Sequence, residues 1–398
     1  MYDVAVIGGG PIGSQVAFRL AVLGYEVVVV ERKTETGGPV CCTGIVSREC
    51  VSSLALDKDV VFRRANGARL LSPSGRVLRL WRPEPQVSIV DRTAFNVALA
   101  NRAQGQGVEY RLNSSVVGAY FSDNGVSLEF GMQGNGIKYL QARAVVIAAG
   151  AASAGLAVAL GLGKVGDFAM GAQAEVEIMG VDEVEVYFGG EITPGFFAWL
   201  VPISSQKALV GLLSRRKPEV YLRRLLARLL AQGKIVSTKA EMTHGGIPLQ
   251  SLARTYGERL VVVGSAAGQV KPTTGGGIYY GLLCADIAAN HLNRALKSDN
   301  LSAENLSSYQ REWRKRLGAE LRIGYWARKL YERLSDRQID QIFDIIESNG
   351  IDEALLKAED LSFDWHSKVV LRVMADKALS KAMVAWKIPF LQGKGEKR

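Results

Sequence analysis

The chain opens with a short apolar run, Asp3-Val-Ala-Val-Ile7. It breaks at Gly8-Gly9-Gly10-Pro11-Ile12-Gly13 and resumes with apolar residues at helical spacing from Ser14 to Leu23, stopped by Gly24. The next run, Glu26 to Val30, is almost all valine and ends at Glu31. Brief β-branched runs bounded by glycine read as buried strands, and the 3.6-residue period reads as helix. The pattern therefore predicts strand, turn, helix, strand. The same signals return far downstream. Leu260-Val-Val-Val-Gly264 leads into Ser265-Ala-Ala-Gly268, then Pro272-Thr-Thr-Gly275-Gly276-Gly277-Ile278, then a helical pattern through Tyr280 and Ile287. Alternation in Ala172-Gln-Ala-Glu-Val-Glu-Ile178 predicts a strand with one buried face. Apolar spacing through Leu317, Leu321 and Tyr325, and again through Ile339, Ile342 and Ile346, makes residues 296–398 mostly helical. The uncharged stretch from Ala144 to Gly163 is long enough to span a bilayer. Its Ala and Gly content, Ser153 and Val-Val-Ile opening predict a strand, turn and helix inside a core instead. No internal repeat is visible.

The first glycine turn carries chemistry. Gly8, Gly10 and Gly13 match G-x-G-x-x-G between a strand and a helix. Gly8 permits the tight turn, Gly10 leaves room for a pyrophosphate at the backbone, and Gly13 lets the helix close on the sheet. The helix start offers unpaired N–H groups to phosphate. The Glu31 carboxylate can accept from both hydroxyls of an adenosine ribose and disfavours a 2′-phosphate. A second match, Gly161-Leu-Gly163-Lys-Val-Gly166, follows a helical pattern with no strand before it and reads as a glycine-rich turn.

Composition narrows the partners. The 398 residues suit two or three domains, with 48% hydrophobic and 22% charged residues. A net charge of +10 favours phosphorylated cofactors, lipid headgroups or acidic carriers. No nucleic-acid motif accompanies the basic clusters. Three histidines, and four cysteines (Cys41, Cys42, Cys50, Cys284) without a CxxC pair, leave no metal site to expect. The N-terminus lacks a basic signal-peptide region. The expectation is a cytoplasmic protein, peripheral on the inner membrane surface at most. Arg223, Arg224 and Arg228 lie apart from Leu222, Leu225, Leu226, Leu229 and Leu230 on one helix. That pattern suits either a solvated face or a membrane surface.

Further segments carry a family resemblance. They are Pro39-Val-Cys41-Cys42-Thr43-Gly44-Ile45, Asp91-Arg92-Thr-Ala-Phe95-Asn96, Gly195-Phe-Phe197-Ala-Trp199-Leu-Val-Pro202, and the stretch Gly264 to Ile278. With the N-terminal fingerprint they resemble para-hydroxybenzoate-hydroxylase-like FAD proteins, and within them the geranylgeranyl reductase family, over about residues 1–290. The resemblance implies an α/β fold: a Rossmann-type FAD-binding domain, an inserted antiparallel-sheet substrate domain and a C-terminal helical region. The corresponding boundaries are 1–60, 85–165 and 255–295 for FAD, 61–84 and 166–254 for substrate, and 296–398 for the helices. The chain departs from the family at Ser265, which replaces an aspartate, at Phe197, which replaces a tyrosine, at Val201, which replaces a phenylalanine, and at Asn96, which replaces an aspartate.

Carried over by motif, the FAD phosphates fall at Gly10 and Gly13 and the ribose at Glu31, with Gly8 and Ile12 also in the cofactor-binding set. The flavin side falls at Cys42, Thr43, Gly44, Arg92, Ser265, Gly277 and Ile278, and the adenine at the Val116 backbone. Phe197, Trp199 and Pro202 would line an apolar substrate wall. The implied activity is saturation of isoprenoid double bonds on a lipid, lipid precursor or quinone, with electrons from a ferredoxin-like carrier or NAD(P)H. Cys42 would then donate a proton as the flavin delivers a hydride. Simple packing on the flavin, or redox pairing with Cys41 or Cys50, are its other readings. An aromatic monooxygenase of the same fold, or a non-enzymatic relative with weakened FAD binding, are the rival functions.

Overall fold

The structure, a computed structural model, describes residues 1–38, 40–54, 58–132, 136–358 and 362–386. Pro39 of the cysteine motif and the basic tail Gly393 to Arg398 lie outside them. The chain divides into two compact units. The first comprises Met1–Phe62, Ser88–Gly171 and Thr243–Leu321; the second comprises Arg63–Val87, Ala172–Met242 and Arg322–Arg398. The helical stretch expected over 296–398 is therefore shared between both units rather than forming a region of its own.

The first unit is built on an eight-stranded sheet. Leu260–Val262, Gly136–Ile147, Tyr2–Ile7, Val27–Val30 and Glu109–Arg111 lie side by side, all parallel. Strands buried on both faces need apolar residues at every position. Val27 to Val30 meet that demand, none more than 3% exposed. Gly136–Ile147 serves two partners along its length. Its first half pairs antiparallel with Gly125–Met132, which pairs in turn with Ser114–Ser122. Its last residues join the parallel core. The Ala144–Gly163 stretch thus finishes that strand and continues into the short helix Ala154–Ala159. No helix among the described residues is long and apolar enough to cross a membrane.

Helices Pro11–Val22, Arg92–Gln104 and Ile278–Lys297 belong to the same unit. Their first turns meet in one apolar cluster. It contains Ile12 from the first, Phe95 from the second, and Ile278, Tyr279 and Leu282 from the third, together with Val46, Cys50 and Val90.

In the second unit the strands lie in the order Phe168–Glu177, Lys207–Ser214, Phe197–Pro202, Val184–Phe188, Gly67–Leu71, Val77–Trp81. The expected antiparallel sheet contains a parallel pair, because Val184–Phe188 runs parallel to Gly67–Leu71. A hairpin could not join strands so far apart in sequence, so no turn dictates their direction. The helix Pro218–Ala231 covers one face with Leu222, Leu225, Leu226 and Leu229, all fully buried against Ala198, Leu200, Val210 and Leu212. The helix Asp336–Ser348 begins with a Ser335–Gln338 capping box. It packs Ile339 and Phe343 with Leu78, Leu70 and Phe188.

Candidate functional site

The fingerprint turn has the geometry its glycines imply. Gly8 adopts φ +105°, and a Cβ there would stand 2.7 Å from the Ala149 backbone. A Cβ on Gly13 would stand 1.9 Å from the Gly8 carbonyl. Gly10 is different. Its φ is −70°, open to any residue, and a Cβ there would meet nothing within 4 Å. Neither conformation nor packing within the protein calls for glycine at 10; the open space in front of it does. The helix behind it starts with Pro11 and has no side-chain cap, so its first N–H groups face that space.

Glu31 lies at the end of the valine strand. Its carboxylate accepts from Gly9 N at 2.6 Å and Lys33 N at 2.9 Å. Ser114 N donates to the Glu31 carbonyl at 2.9 Å, which brings the strand carrying Val116 to the same end. The Val116 side chain packs at the edge of the first unit's core. Beneath the turn, Tyr110 Oη donates to Ser14 Oγ at 2.8 Å, and Ser14 Oγ donates to the Gly9 carbonyl at 3.3 Å. Burial, against the lowering effect of the Ser14 bond, pushes the Tyr110 phenol up to about 12. This brace was not legible in the sequence, because the tyrosine arrives from a strand two partners along the sheet.

The Ile12 side chain also has a packing role. A Cβ on Gly281 would stand 2.5 Å from Ile12 Cδ1, and one on Gly264 3.2 Å from Ile12 Cγ1. Ile12 therefore fills a notch made by two glycines and fastens the first helix to the second glycine loop.

That second loop is tightly built. Gly264 N donates to Gln269 Oε1 at 2.7 Å, Gln269 Nε2 to Tyr309 Oη at 2.9 Å, and Tyr309 Oη to the Val262 carbonyl at 2.9 Å. Ser265 Oγ lies 3.3 Å from where a Gly277 Cβ would be, so Ser265 and Gly277 face each other. The helix from Ile278 begins at Gly277 without a side-chain cap. Lys271, which the sequence reading passed over, is only 3% exposed.

Gly44 adopts φ +75° against the strand Val87–Val90. A Cβ there would meet the Val90 carbonyl at 2.3 Å and Arg92 Cγ at 3.2 Å. Arg92 buries Nε and Nη1 with no hydrogen-bond partner among the described residues, while its guanidinium lies 5.1 Å from the Phe95 ring. Thr43 and Cys42 are half-buried beside it in the chain. The neighbouring Cys41 lies against Gly245, its Sγ 3.7 Å from a Cβ there, and bonds Thr243. Burial pushes the Cys41 thiol up to about 11. Cys50 and Cys284 are buried, and none of the four cysteines is in a disulfide.

An extended anionic dinucleotide suits this set: a vacant approach at Gly10, two uncapped helix starts, and a buried guanidinium with unused donors. Those residues fit the diphosphate and flavin parts of such a cofactor.

In the second unit Phe197 and Trp199 share one face of their strand, with ring centroids 5.8 Å apart. Trp199 lies flat on Gly211 of the next strand, where a Cβ would stand 2.5 Å from Trp199 Cζ2. Its Nε1 is buried without a partner among the described residues. Pro202 does not join them. Side chains alternate along a strand, so Pro202 shares the opposite face with Ala198 and Leu200, toward the Pro218–Ala231 helix.

The family profile described as Lycopene cyclase protein matches residues 3–346. A digeranylgeranylglycerophospholipid reductase of Methanocaldococcus jannaschii is 31% identical over 367 residues, covering 88% of this chain and 93% of its own. The chain belongs to the geranylgeranyl reductase family. It belongs also to the family that the profile describes, and the cofactor is a flavin. The fold agrees. A geranylgeranyl bacteriochlorophyll reductase-like protein of Thermoplasma acidophilum superposes with TM-score 0.83 at 23% identity, covering 97% of this chain and 98% of that one. A triple mutant of a flavin-dependent brominase gives 0.70 at 16% identity, covering 97% and 99%.

Proposed function

We propose that the protein is an FAD-dependent reductase that saturates the double bonds of a geranylgeranyl lipid or lipid precursor. The observation that carries this reading is the meeting of two uncapped helix starts and the Arg92 donors around one apolar cluster, in a chain 31% identical to a named digeranylgeranylglycerophospholipid reductase. Gly10 and Gly13 admit the diphosphate, Glu31 takes the adenosine ribose, and Val116 borders the adenine. Arg92, Thr43, Gly44, Ser265, Gly277 and Ile278 hold the flavin end.

When bound and reduced, the flavin supplies a hydride. An unactivated alkene also needs a proton on the neighbouring carbon. Cys42 is the donor in this reading, while Cys41, turned toward Thr243 and Gly245, keeps its proton and positions the loop. Phe197 and Trp199 present an apolar wall suited to an isoprenoid chain. Electrons come from a ferredoxin-like carrier or NAD(P)H, and the protein works at the cytoplasmic membrane surface where its substrate lies.

The test is an anaerobic titration. Purified protein that carries flavin is bleached with dithionite and then given a geranylgeranyl lipid. Return of the flavin bands, with a pair of hydrogens added to the lipid per turnover by mass spectrometry, is the expected result. Bleached flavin that only oxygen reoxidises, with lipid mass unchanged, would overturn the reductase reading and favour the monooxygenase.

A further inference from the structure

Lys271 is a lysine only 3% exposed, in the loop that leads into the helix Ile278–Lys297. Lysine is rarely buried to this degree, because its ammonium loses hydration that the protein must replace. The loop holds it there by its backbone: Lys271 N donates to the Gly276 carbonyl at 2.9 Å, and Gly275 N donates to the Lys271 carbonyl at 2.8 Å. The side chain lies flat over Gly276, where a Cβ would stand 2.8 Å from Lys271 Cε and 3.5 Å from Nζ. The ammonium lies 6.0 Å from the ring of Tyr280, in the first turn of the helix whose N-cap, Gly277, has no side-chain cap. A lysine and a helix N-terminus thus lie at the same end of the loop, and both favour anionic charge there. The family aspartate of the preceding loop is Ser265 here, and Ser265 Oγ faces Gly277. The same end of the site has lost a negative group and holds a buried positive one.

We propose that Lys271 is the residue that stabilises the negative charge of the reduced flavin and so raises the cofactor's reduction potential. The inference rests on the flavin reading above. Two-electron reduction of the bound cofactor then takes up one proton, at N5. The negative charge would remain on the pyrimidine edge, where the ammonium and the helix start would stabilise it. A site of this kind lets a modest reductant load the flavin.

The experiment is potentiometry of the flavin-loaded protein and its K271M and G276A variants, with a reference dye and no substrate. K271M is expected to bind reduced flavin at least tenfold more weakly relative to oxidised flavin, a fall of about 30 mV for a two-electron couple. G276A, which crowds the lysine stem without removing its charge, is expected to give a smaller fall in the same direction. In the wild type the potential should change by about 30 mV per pH unit between about pH 5 and pH 7, one proton for two electrons. This measurement needs no variant to fold. A wild-type slope near twice that value in the same range, or a K271M potential equal to wild type, overturns the proposal and leaves the flavin reading intact. Failure of the wild type to bind any flavin overturns both.

Discussion

Gly10 and Gly13 share a motif yet answer to different forces. Gly13 is needed by the protein itself, since a Cβ would lie 1.9 Å from a backbone oxygen. Gly10 meets only open space. Gly10→Ala should leave the melting temperature of flavin-free protein nearly unchanged, within about 1 kcal/mol, and weaken flavin binding at least tenfold by fluorescence titration. Gly13→Ala should destabilise the fold outright. Equal losses of stability would refute the distinction.

The paired cysteines also separate at this scale. With its thiol pushed up to about 11, Cys41 is about one part in a thousand thiolate at pH 8. Alkylation of Cys41, followed by peptide mass spectrometry, should be slow at pH 8 and rise about tenfold per pH unit toward pH 11. The linkage has a definite sign. The folded thiol titrates above its ordinary 9.0, so its contribution to stability is whole below pH 9 and is lost as pH rises through about 11. Rapid labelling of Cys41 at pH 8 would contradict its burial.

At the scale of elements, the contact that matters most is the Ile12 side chain in the notch of Gly264 and Gly281. It joins two glycine-loop units that lie far apart in sequence. Ile12→Ala should cost about 2 kcal/mol by cavity formation. Gly281→Ala should cost about 1–3 kcal/mol by overpacking. The two should not add: removing the isoleucine makes room for the methyl group, so the double variant should be more stable than the sum predicts by at least about 0.5 kcal/mol. Urea unfolding of the four proteins measures this, and strict additivity would show that the notch is not a contact. Alternation along the strand Phe197–Pro202 likewise sorts a motif that reads as one wall in the sequence. Phe197 and Trp199 face one way and Pro202 the other.

For the whole molecule, Leu222, Leu225, Leu226 and Leu229 of the Pro218–Ala231 helix are committed to the sheet beneath them, fully buried. They cannot also enter a bilayer. Arg223 and Arg224 remain exposed on the outer side, in a chain of net charge +10. With Val220 and Leu230 the large apolar side chains this helix leaves exposed, membrane contact through it is mainly electrostatic. Each exposed arginine is worth about 1 kcal/mol near an anionic surface, acting over a screening length of about 8 Å at physiological salt. In vesicle flotation the protein should bind anionic but not neutral vesicles, release at high salt, and bind more weakly as R223E/R224E. Salt-resistant binding to neutral vesicles would place an apolar anchor elsewhere.

The sequence by itself determined the parallel valine-rich core, both glycine turns and the acidic residue after the second strand. Each depends on local periodicity or on a residue's intrinsic backbone freedom, which the chain carries wherever it goes. It also determined the family, through motifs whose spacing survives substitution. Tertiary structure alone decided the rest. Lys271 between Val270 and Pro272 reads as an ordinary loop lysine, and only the closure of that loop on Gly276 buries it. The motif singles out Cys42, but only the arrival of the strand carrying Thr243 and Gly245 decides the surroundings of Cys41. Ile12 reads as a cofactor neighbour, and only the fold adds the notch at Gly281 that its side chain fills. These assignments depend on which distant backbone comes near, and contact between distant segments is set by the packing of the whole chain.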